Sequence, residues 1–179
     1  MRNSAFVYLF LFIAPVALAR AQAVESATSR PLTVTAGAMA SGFNPDEGGT
    51  NLIGIGIFVD VHFTHWFQIE AEGRWLRWNE YQGENQDNYL IGPRVPIMHF
   101  GRETQLYGKV LVGYARMTFP YQYGYGTFTD LAFGGAVDHH LGRKLIVKAD
   151  FEYQHWPKFL SNTSLSPYGA SVGVGYRVF

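Results

Sequence analysis

The segment KLIVKADFEYQHW (residues 144–156) separates its side chains into two files with a period of two residues. One file is apolar and the other is polar or charged: Leu145, Val147, Ala149, Phe151 and Tyr153 against Lys148, Asp150, Glu152 and Gln154. Successive side chains of a β-strand point to opposite faces, whereas a helix would mix the two sets. The segment therefore predicts a strand with one apolar face and one charged face.

The same alternation recurs in residues 51–62, 66–75 and 129–138. Weaker versions occupy four further segments: residues 31–41, 88–98, 105–117 and 167–179. Pro93 and Pro96 lie in one of these segments, and each lacks the N–H that a paired strand needs. We expect a distorted, bulged or shortened strand there. The sequence thus predicts eight strands in an all-β protein.

The connections between these strands alternate in length and character. Residues 43–50, 81–88, 120–127 and 157–166 are long and polar or aromatic, whereas three others are short: residues 62–66, 99–104 and 139–143. Four long loops at one end and three short turns at the other are typical of bacterial outer-membrane barrels. The pattern predicts an eight-stranded antiparallel transmembrane β-barrel.

A soluble lipocalin-like barrel is the alternative, with the charged face toward solvent and the apolar face toward the core. Two observations favour the inverted, membrane arrangement. Aromatic residues gather near the predicted strand ends, as an interfacial girdle requires: Trp66, Trp75, Trp78, Tyr81, Tyr89, Tyr107, Tyr114, Tyr123, Trp156 and Tyr168. The charged file also contains Gly and Ala, which suit a narrow interior.

Residues 1–23 predict a cleavable signal peptide, because a short apolar run precedes the small-residue stretch Ala21-Gln22-Ala23. Residues 24–179 then form the single barrel domain. The chain has no cysteine, so disulfides and thiolate sites are excluded. Its 14 basic residues balance 14 acidic ones, and loss of Arg2 and Arg20 would leave 12 against 14. This near neutrality argues against nucleic acid as a partner.

The segment FGGAVDHHLGRKLIVKADFEYQ (residues 133–154) and the closing Phe179 resemble small outer-membrane proteins of the OmpA-like transmembrane-domain and OmpW-like group. The resemblance implies a bacterial outer-membrane location, with outer-membrane lipid and the assembly machinery as partners. It also implies that the final strand, with Tyr176 and Phe179, is the assembly signal. Arg177 departs from that pattern, because the group has an aromatic residue two positions before the final Phe.

The charged file of the predicted strands would point into the barrel interior. Its members are Asp60, Glu70, Glu72, Arg74, Arg94, Lys109, Asp130, Asp138, Lys148, Asp150 and Glu152. Unpaired charges in a narrow interior are costly, and an eight-stranded barrel is only just filled by side chains. We expect an ion-pair network and a plugged lumen. The alternative is a small channel for ions or hydrophobic solutes.

Neither a cofactor nor a catalytic site is predicted. His62, His65, His99, His139 and His140 fall at or beside the short turns, where they could approach a metal-ligand set or serve as polar turn residues. Lipid-modifying barrel enzymes of similar size remain a third possibility. The His-x-Ser pair of the lipid A deacylases has no counterpart, because the nearest arrangement is His62-Phe63-Thr64.

The long connections are rich in aromatic residues. Those that alternate with Gly and Pro, or follow the last charged strand, are Tyr121, Tyr123, Tyr125, Trp156 and Phe159. Stiff amphipathic rings of this kind are used in recognition, although an interfacial girdle would also place them there. The sequence predicts a structural or surface-interaction protein that meets an extracellular ligand through these loops.

Overall fold

Strands make up nearly all of the computed structural model, which describes residues 32–46, 50–80, 82–159 and 163–178. The strands are β1 (Thr33–Asn44), β2 (Leu52–His62), β3 (Gln68–Trp78), β4 (Asn85–Phe100), β5 (Thr104–Thr118), β6 (Tyr125–Leu141), β7 (Leu145–Phe159), β8 (Thr163–Leu165) and β9 (Tyr168–Arg177). No helix among the described residues is long and apolar enough to cross a membrane. The predicted signal peptide, residues 1–23, lies outside the described residues.

The eight long strands close into one antiparallel barrel. Each strand from β1 to β7 pairs with the next, and β9 pairs with both β7 and β1. The closing ladder runs from Thr35 opposite Arg177 to Asn44 opposite Tyr168. The short β8 pairs only with the end of β7. The predicted eight-stranded barrel is therefore confirmed, and closure leaves no open edge between the long strands.

Apolar residues lie on the outside of this barrel and charged residues on the inside. On β2, Ile53, Ile55 and Ile57 are about half exposed on the outer surface, whereas Phe58 and Asp60, in the opposite phase of the same strand, are almost fully buried. The same order holds on β7 and β9, as the period of two requires. A soluble barrel would need the opposite arrangement, so the lipocalin-like alternative is wrong.

The strand that contains Pro93 and Pro96 is irregular but not short. β4 has 16 residues, and its register against β5 shifts between Pro96 and Met98. The pairing skips from Ile91 to Arg94 on that side, while Pro93 stays in register with Ile69 of β3. The expectation of a bulged strand is correct, because a proline removes single ladder bonds without ending the strand.

Two of the predicted long loops are shorter than expected. Asn85–Asn88 belong to β4 and Tyr125–Thr127 to β6, because both segments pair with the upper part of β5. The connections at that end are residues 45–51, 79–84 and 119–124, and β8 follows the end of β7. Short turns of residues 63–67, 101–103 and 142–144 close the other end. Short turns are periplasmic in outer-membrane barrels, so the longer connections are extracellular.

One large ring packs against glycines where the barrel closes. Phe58 of β2 is directly opposite Gly37 of β1, and its ring also covers Gly173 and Gly175 of β9. A Cβ on Gly37 would lie 2.7 Å from Phe58 Cε1 and closer still to the carbonyl oxygen of Val174. Real side chains do not come so close, so Phe58 and these glycines are complementary in size.

We expect Gly37→Ala to lower the free energy of unfolding by about 1–3 kcal/mol, because the added methyl group overpacks the seam. Gly42→Ala on the same strand is the matched control, since a Cβ there meets nothing within 4 Å. The control should leave stability unchanged or slightly higher. Urea unfolding in lipid vesicles measures both values. Equal effects of the two substitutions would contradict this account of the seam.

Candidate functional site

All eleven residues of the predicted charged file lie buried in the barrel interior. They come from six consecutive strands, β2 to β7, and each occupies an inward position of its strand: Asp60, Glu70, Glu72, Arg74, Arg94, Lys109, Asp130, Asp138, Lys148, Asp150 and Glu152. Because the strands surround one narrow space, charges that are far apart in sequence meet there. We call these eleven residues the lumen network.

The periplasmic half of the lumen network is built on Arg94 and Lys148. Arg94 Nη1 lies 2.9 Å from Asp60 Oδ2, and its Nη2 lies 2.7 Å from Asp138 Oδ2. Lys148 Nζ donates to Asp60 Oδ1 at 3.1 Å and to Glu70 Oε2 at 2.9 Å. Glu70 Oε2 also lies 3.5 Å from Arg94 Nε, so Arg94 and Lys148 share both Asp60 and Glu70, which links β2, β3, β4, β6 and β7 across the interior.

The central part of the lumen network is built on Lys109 and Arg74. Lys109 Nζ lies 2.9 Å from Glu70 Oε1, 2.6 Å from Asp150 Oδ2 and 2.5 Å from Glu152 Oε1. Arg74 donates through Nη1 to Glu152 Oε2 and through Nη2 to Glu72 Oε1, each at 3.0 Å. Lys109 thus joins carboxylates of β3 to carboxylates of β7 through the barrel axis.

Aromatic rings lie against three of these four cations. The guanidinium of Arg94 lies 3.7 Å from the ring centre of Tyr107, and that of Arg74 lies 4.3 Å from the ring centre of Phe43. Lys148 Nζ lies 4.0 Å from the ring centre of Phe58. Such cation–π contacts add attraction where water is excluded. Arg74, Arg94 and Lys148 therefore each have an aromatic ring as well as carboxylates beside them, which compensates for their removal from water.

Uncharged residues above the lumen network were not singled out from the sequence. Asn88 donates to Asp130 Oδ2 at 2.7 Å and to Gln154 Oε1 at 3.1 Å, and Gln86 donates to Asn88 Oδ1 at 2.9 Å. Gln86 falls in the predicted loop of residues 81–88, and Asn88 is shared by that loop and the predicted strand of residues 88–98, so the prediction does not use their alternation with Asp87. That alternation is the signal that would have placed them inside.

Trp156 was expected in an extracellular loop, but it is buried in the barrel. Its exposed fraction is 0%, and its ring stacks on Phe128 with the ring centres 5.7 Å apart. Ala115, Met117 and Leu165 complete an apolar cluster around it. The reason is that β7 continues past Trp156 and pairs with β8, so position 156 keeps the inward phase of Glu152 and Gln154.

The three predicted tyrosines form an exposed group at the extracellular rim. Tyr121, Tyr123 and Tyr125 have exposed fractions of 63%, 87% and 68%, and the rings of Tyr121 and Tyr123 meet edge to face with centres 5.8 Å apart. The backbone of Tyr121 is left-handed, with φ of 58°. We call these residues the tyrosine rim. The side chain of Phe159 is not among those that the structure describes.

The histidines line a cavity of about 240 Å³ at the periplasmic mouth, together with polar side chains such as Gln68 and Arg102. His62, His65, His99 and His140 contribute to this lining, whereas His139 Nδ1 lies 2.9 Å from Thr104 Oγ1. Among the described residues, the one set of three possible ligands within metal-binding distance is Glu70, Glu72 and Asp150. The Lys109 ammonium lies against all three, so it occupies the place of a metal ion.

The proposed assembly signal is only partly visible. Tyr176 lies on the outer face of β9, about half exposed, and Lys144 Nζ lies 5.5 Å from its ring centre. Phe179 lies outside the described residues. On β9, Val172, Val174 and Tyr176 lie on the outer face of the barrel, as expected if the apolar set of this alternating segment faces lipid.

Comparison with known proteins places these features in a wider group. The model of a family described as an outer membrane protein beta-barrel domain matches residues 8–177. The crystal structure of Neisserial surface protein A is similar, with 14% identity and a TM-score of 0.58 over 81% of this chain and 96% of that chain. A search of curated proteins finds no significant match.

Two further solved structures share the fold. The N-terminal β-barrel domain of Pseudomonas aeruginosa OprF is 15% identical, with a TM-score of 0.54 over 82% of this chain and 99% of that chain. Ail, the attachment invasion locus protein of Yersinia pestis, was solved in complex with the heparin analogue sucrose octasulfate. It is 16% identical, with a TM-score of 0.51 over 82% of this chain and 97% of that chain. At these identities the likeness shows the fold alone.

Proposed function

This chain belongs to the outer membrane protein beta-barrel domain family and so lies in the bacterial outer membrane. We propose that it is a structural and surface-interaction protein with a closed lumen. The lumen network carries this proposal. Its four cations and seven carboxylates occupy the interior, and the ion pairs cross the barrel axis from β3 to β7. A protein whose interior is filled in this way acts through its outer surfaces.

Physical reasoning supports a closed lumen over a channel. An eight-stranded barrel leaves room for little more than its own inward side chains, and here these include four long cations. Each cation lies within 3.5 Å of at least two carboxylates, so a passing ion would have to break several buried pairs at once. Trp156 and Phe128 add a stacked apolar layer toward the extracellular side.

The tyrosine rim supports a role in surface recognition. Three tyrosines with most of their rings exposed offer wide, rigid contact areas with hydroxyl groups at their edges. Ail was solved with a sulfated heparin analogue, but the connections of residues 45–51, 79–84 and 119–124 in this chain contain no Lys or Arg and carry Asp46, Glu47, Glu80 and Glu84. These carboxylates disfavour a polyanion at the tyrosine rim, so we propose an uncharged ligand such as the ring faces of a carbohydrate.

We propose no enzymatic role. Six of the seven interior carboxylates pair with Arg74, Arg94, Lys109 or Lys148, and Asp130 accepts a hydrogen bond from Asn88, which leaves them poorly suited to proton transfer with a substrate. The five histidines at the short turns lie at the opposite end of the barrel from the tyrosine rim. A chemical site would need an acid, a base and a substrate cavity in one place.

Planar-bilayer conductance tests the closed lumen. We expect the wild-type protein to give no stable current steps, because a passing ion would have to break the buried ion pairs of the lumen network. If the protein instead forms a channel, its steps will change in size when Arg74→Gln or Glu152→Gln alters the charge of the path. Arg143→Gln, at an exposed periplasmic turn and not part of the lining of the mouth cavity, is the matched control that should leave any such steps unchanged. Steady wild-type steps that respond to the two interior variants would refute the proposal.

Arrays of immobilised glycans and proteins test the surface role. Detergent-solubilised wild-type protein should bind at least one class of probe, and the triple variant Tyr121→Ser, Tyr123→Ser, Tyr125→Ser should lose that binding. Retention of the same probes by the triple variant would show that the tyrosine rim is not the recognition surface.

A further inference from the structure

A β-bulge at the extracellular end of β3 turns two neighbouring side chains to the outside of the barrel. Ile53 of β2 is opposite Trp78 and Gly54 is opposite Leu76, so Arg77 has no partner in the ladder. Leu76 is fully buried in the interior, while Trp78 and Arg77 are both more than half exposed. Bulges re-aim side chains in this way. Here the result is a cation beside an indole on the lipid-facing wall.

Arg77 is the first residue of a charged row that crosses three strands, β3 to β5. Its Nε and Nη2 donate to the two carboxylate oxygens of Asp87 at 3.2 and 2.7 Å. Asp87 of β4 is directly opposite Arg116 of β5. These three residues carry a net charge of +1, and Nη1 of Arg77 makes no contact with Asp87. The row therefore keeps donors for a further anion.

Aromatic residues lie directly below this row. Trp75 Nε1 donates to the hydroxyl of Tyr89 at 3.0 Å, and the Tyr89 ring stacks on Tyr114 with the ring centres 5.1 Å apart. Trp and Tyr gather where the hydrocarbon of a membrane meets its headgroups. The charged row is thus at the level of the headgroups of the outer leaflet.

An apolar groove leads from the charged row toward the middle of the barrel wall. Ile55, Trp75, Arg77 and Trp78 line a hollow of about 330 Å³ on the outer surface. A second hollow of about 520 Å³ shares Ile55 and Trp75 with the first and continues over β1 to β9. Its floor is low because it contains small residues flanked by larger ones: Ala38, Ala40 and Gly173 between Ile55, Ile57, Val172 and Val174.

We propose that this groove and the charged row bind one phosphorylated, acylated lipid of the outer leaflet. An acyl chain lies in the groove over Ala38 and Ala40, and a headgroup phosphate accepts hydrogen bonds from Arg77 and is attracted by Arg116. Guanidinium groups suit phosphate because several donors lie in one plane. The proposal deepens the assignment to the outer membrane and is independent of whether the lumen conducts.

Native mass spectrometry of the full chain in detergent tests this proposal with three probes: diphosphorylated lipid A, dephosphorylated lipid A and inorganic phosphate. The wild-type protein should prefer the phosphorylated lipid by about tenfold, the effect of one charge-assisted hydrogen-bonded contact. Inorganic phosphate should not compete at millimolar concentration, because it gains nothing from the groove.

Two variants separate lipid binding from a merely structural ion pair. Arg77→Gln and Asp87→Asn both break the Arg77–Asp87 pair, so a structural role predicts the same outcome for both. The proposal predicts opposite outcomes: Arg77→Gln weakens binding of the phosphorylated lipid about tenfold, whereas Asp87→Asn strengthens it because the row then carries +2. Arg143→Gln, an exposed arginine at a periplasmic turn, should bind like the wild type.

The groove has its own variant. Ala40→Phe fills the second hollow and should weaken the binding of both lipids while the preference for the phosphorylated one persists. Wild-type affinity in Arg77→Gln, or weaker binding in Asp87→Asn, would overturn the phosphate assignment. An unchanged affinity in Ala40→Phe, or a mass spectrum dominated by protein dimers on this face, would overturn the assignment of the groove to an acyl chain.

Discussion

Replacing Lys109 with methionine should lower the free energy of unfolding by about 3–5 kcal/mol, the effect of breaking a buried ion pair by removing one partner. The ammonium of Lys109 is within 3.5 Å of carboxylates from Glu70, Glu72, Asp150 and Glu152. Methionine has a similar length but no charge, so these carboxylates would repel one another in a space that water barely enters.

Urea unfolding of the protein in lipid vesicles measures this loss. Lys144→Met is the matched control, because Lys144 is exposed at a periplasmic turn and the change in side chain is the same. The control should alter stability by less than about 1 kcal/mol. A Lys109→Met barrel as stable as the control would mean that the lumen network does not hold the barrel together.

A second substitution makes this prediction more specific. Asp150 Oδ2 lies 2.6 Å from Lys109 Nζ. Asp150→Asn therefore removes one of the carboxylates that Lys109→Met leaves unpaired. The double variant should be more stable than Lys109→Met alone. A double-mutant cycle should give a coupling energy between the two positions of about 0.5–3 kcal/mol. Strictly additive effects would argue against a direct interaction.

Trp156→Ala should also destabilise the barrel, by about 3 kcal/mol or more, although the sequence suggested a residue of a recognition loop. Removing a fully buried indole loses its stacking on Phe128 and leaves a cavity among Ala115, Met117 and Leu165. Trp156→Phe should recover about half of the loss, because a smaller ring can still stack on Phe128.

Trp66→Ala is the control for this prediction, since Trp66 has an exposed fraction of 61% at a periplasmic turn. Its removal should cost less than about 1 kcal/mol. Unfolding in urea, followed by circular dichroism rather than by tryptophan fluorescence, compares the variants on equal terms. If Trp156→Ala costs no more than Trp66→Ala, the apolar cluster does not stabilise the extracellular end.

The strands and their faces could be predicted because both are local properties. The alternation from Leu145 to Gln154 assigns each side chain to one of two faces, and the aromatic residues near strand ends assign the apolar face to lipid. The prediction was less accurate where polar residues continue a strand. The prediction places Asn85–Asp87 in a loop, although they belong to β4 and Gln86 points inward, where it bonds to Asn88.

The identity of the ion pairs was beyond prediction. The eleven charged residues were identified from one phase of the alternation, but Arg74 and Glu152 are 78 residues apart, and nothing local indicates that they meet. Their contact depends on the register of every strand pair between β3 and β7. The same holds for Trp78, because without the bulge between Leu76 and Trp78 the period of two would have turned its side chain inward.

The sequence by itself determined the number of strands, the apolar outer wall and the charged interior, because a period of two residues encodes the face of each side chain. Only the tertiary structure decided that Lys109 joins carboxylates of β3 and β7, that Trp156 is buried and that Trp78 faces lipid. These contacts depend on barrel closure, on the bulges and on the register of all eight strands. No single segment of the chain contains that information.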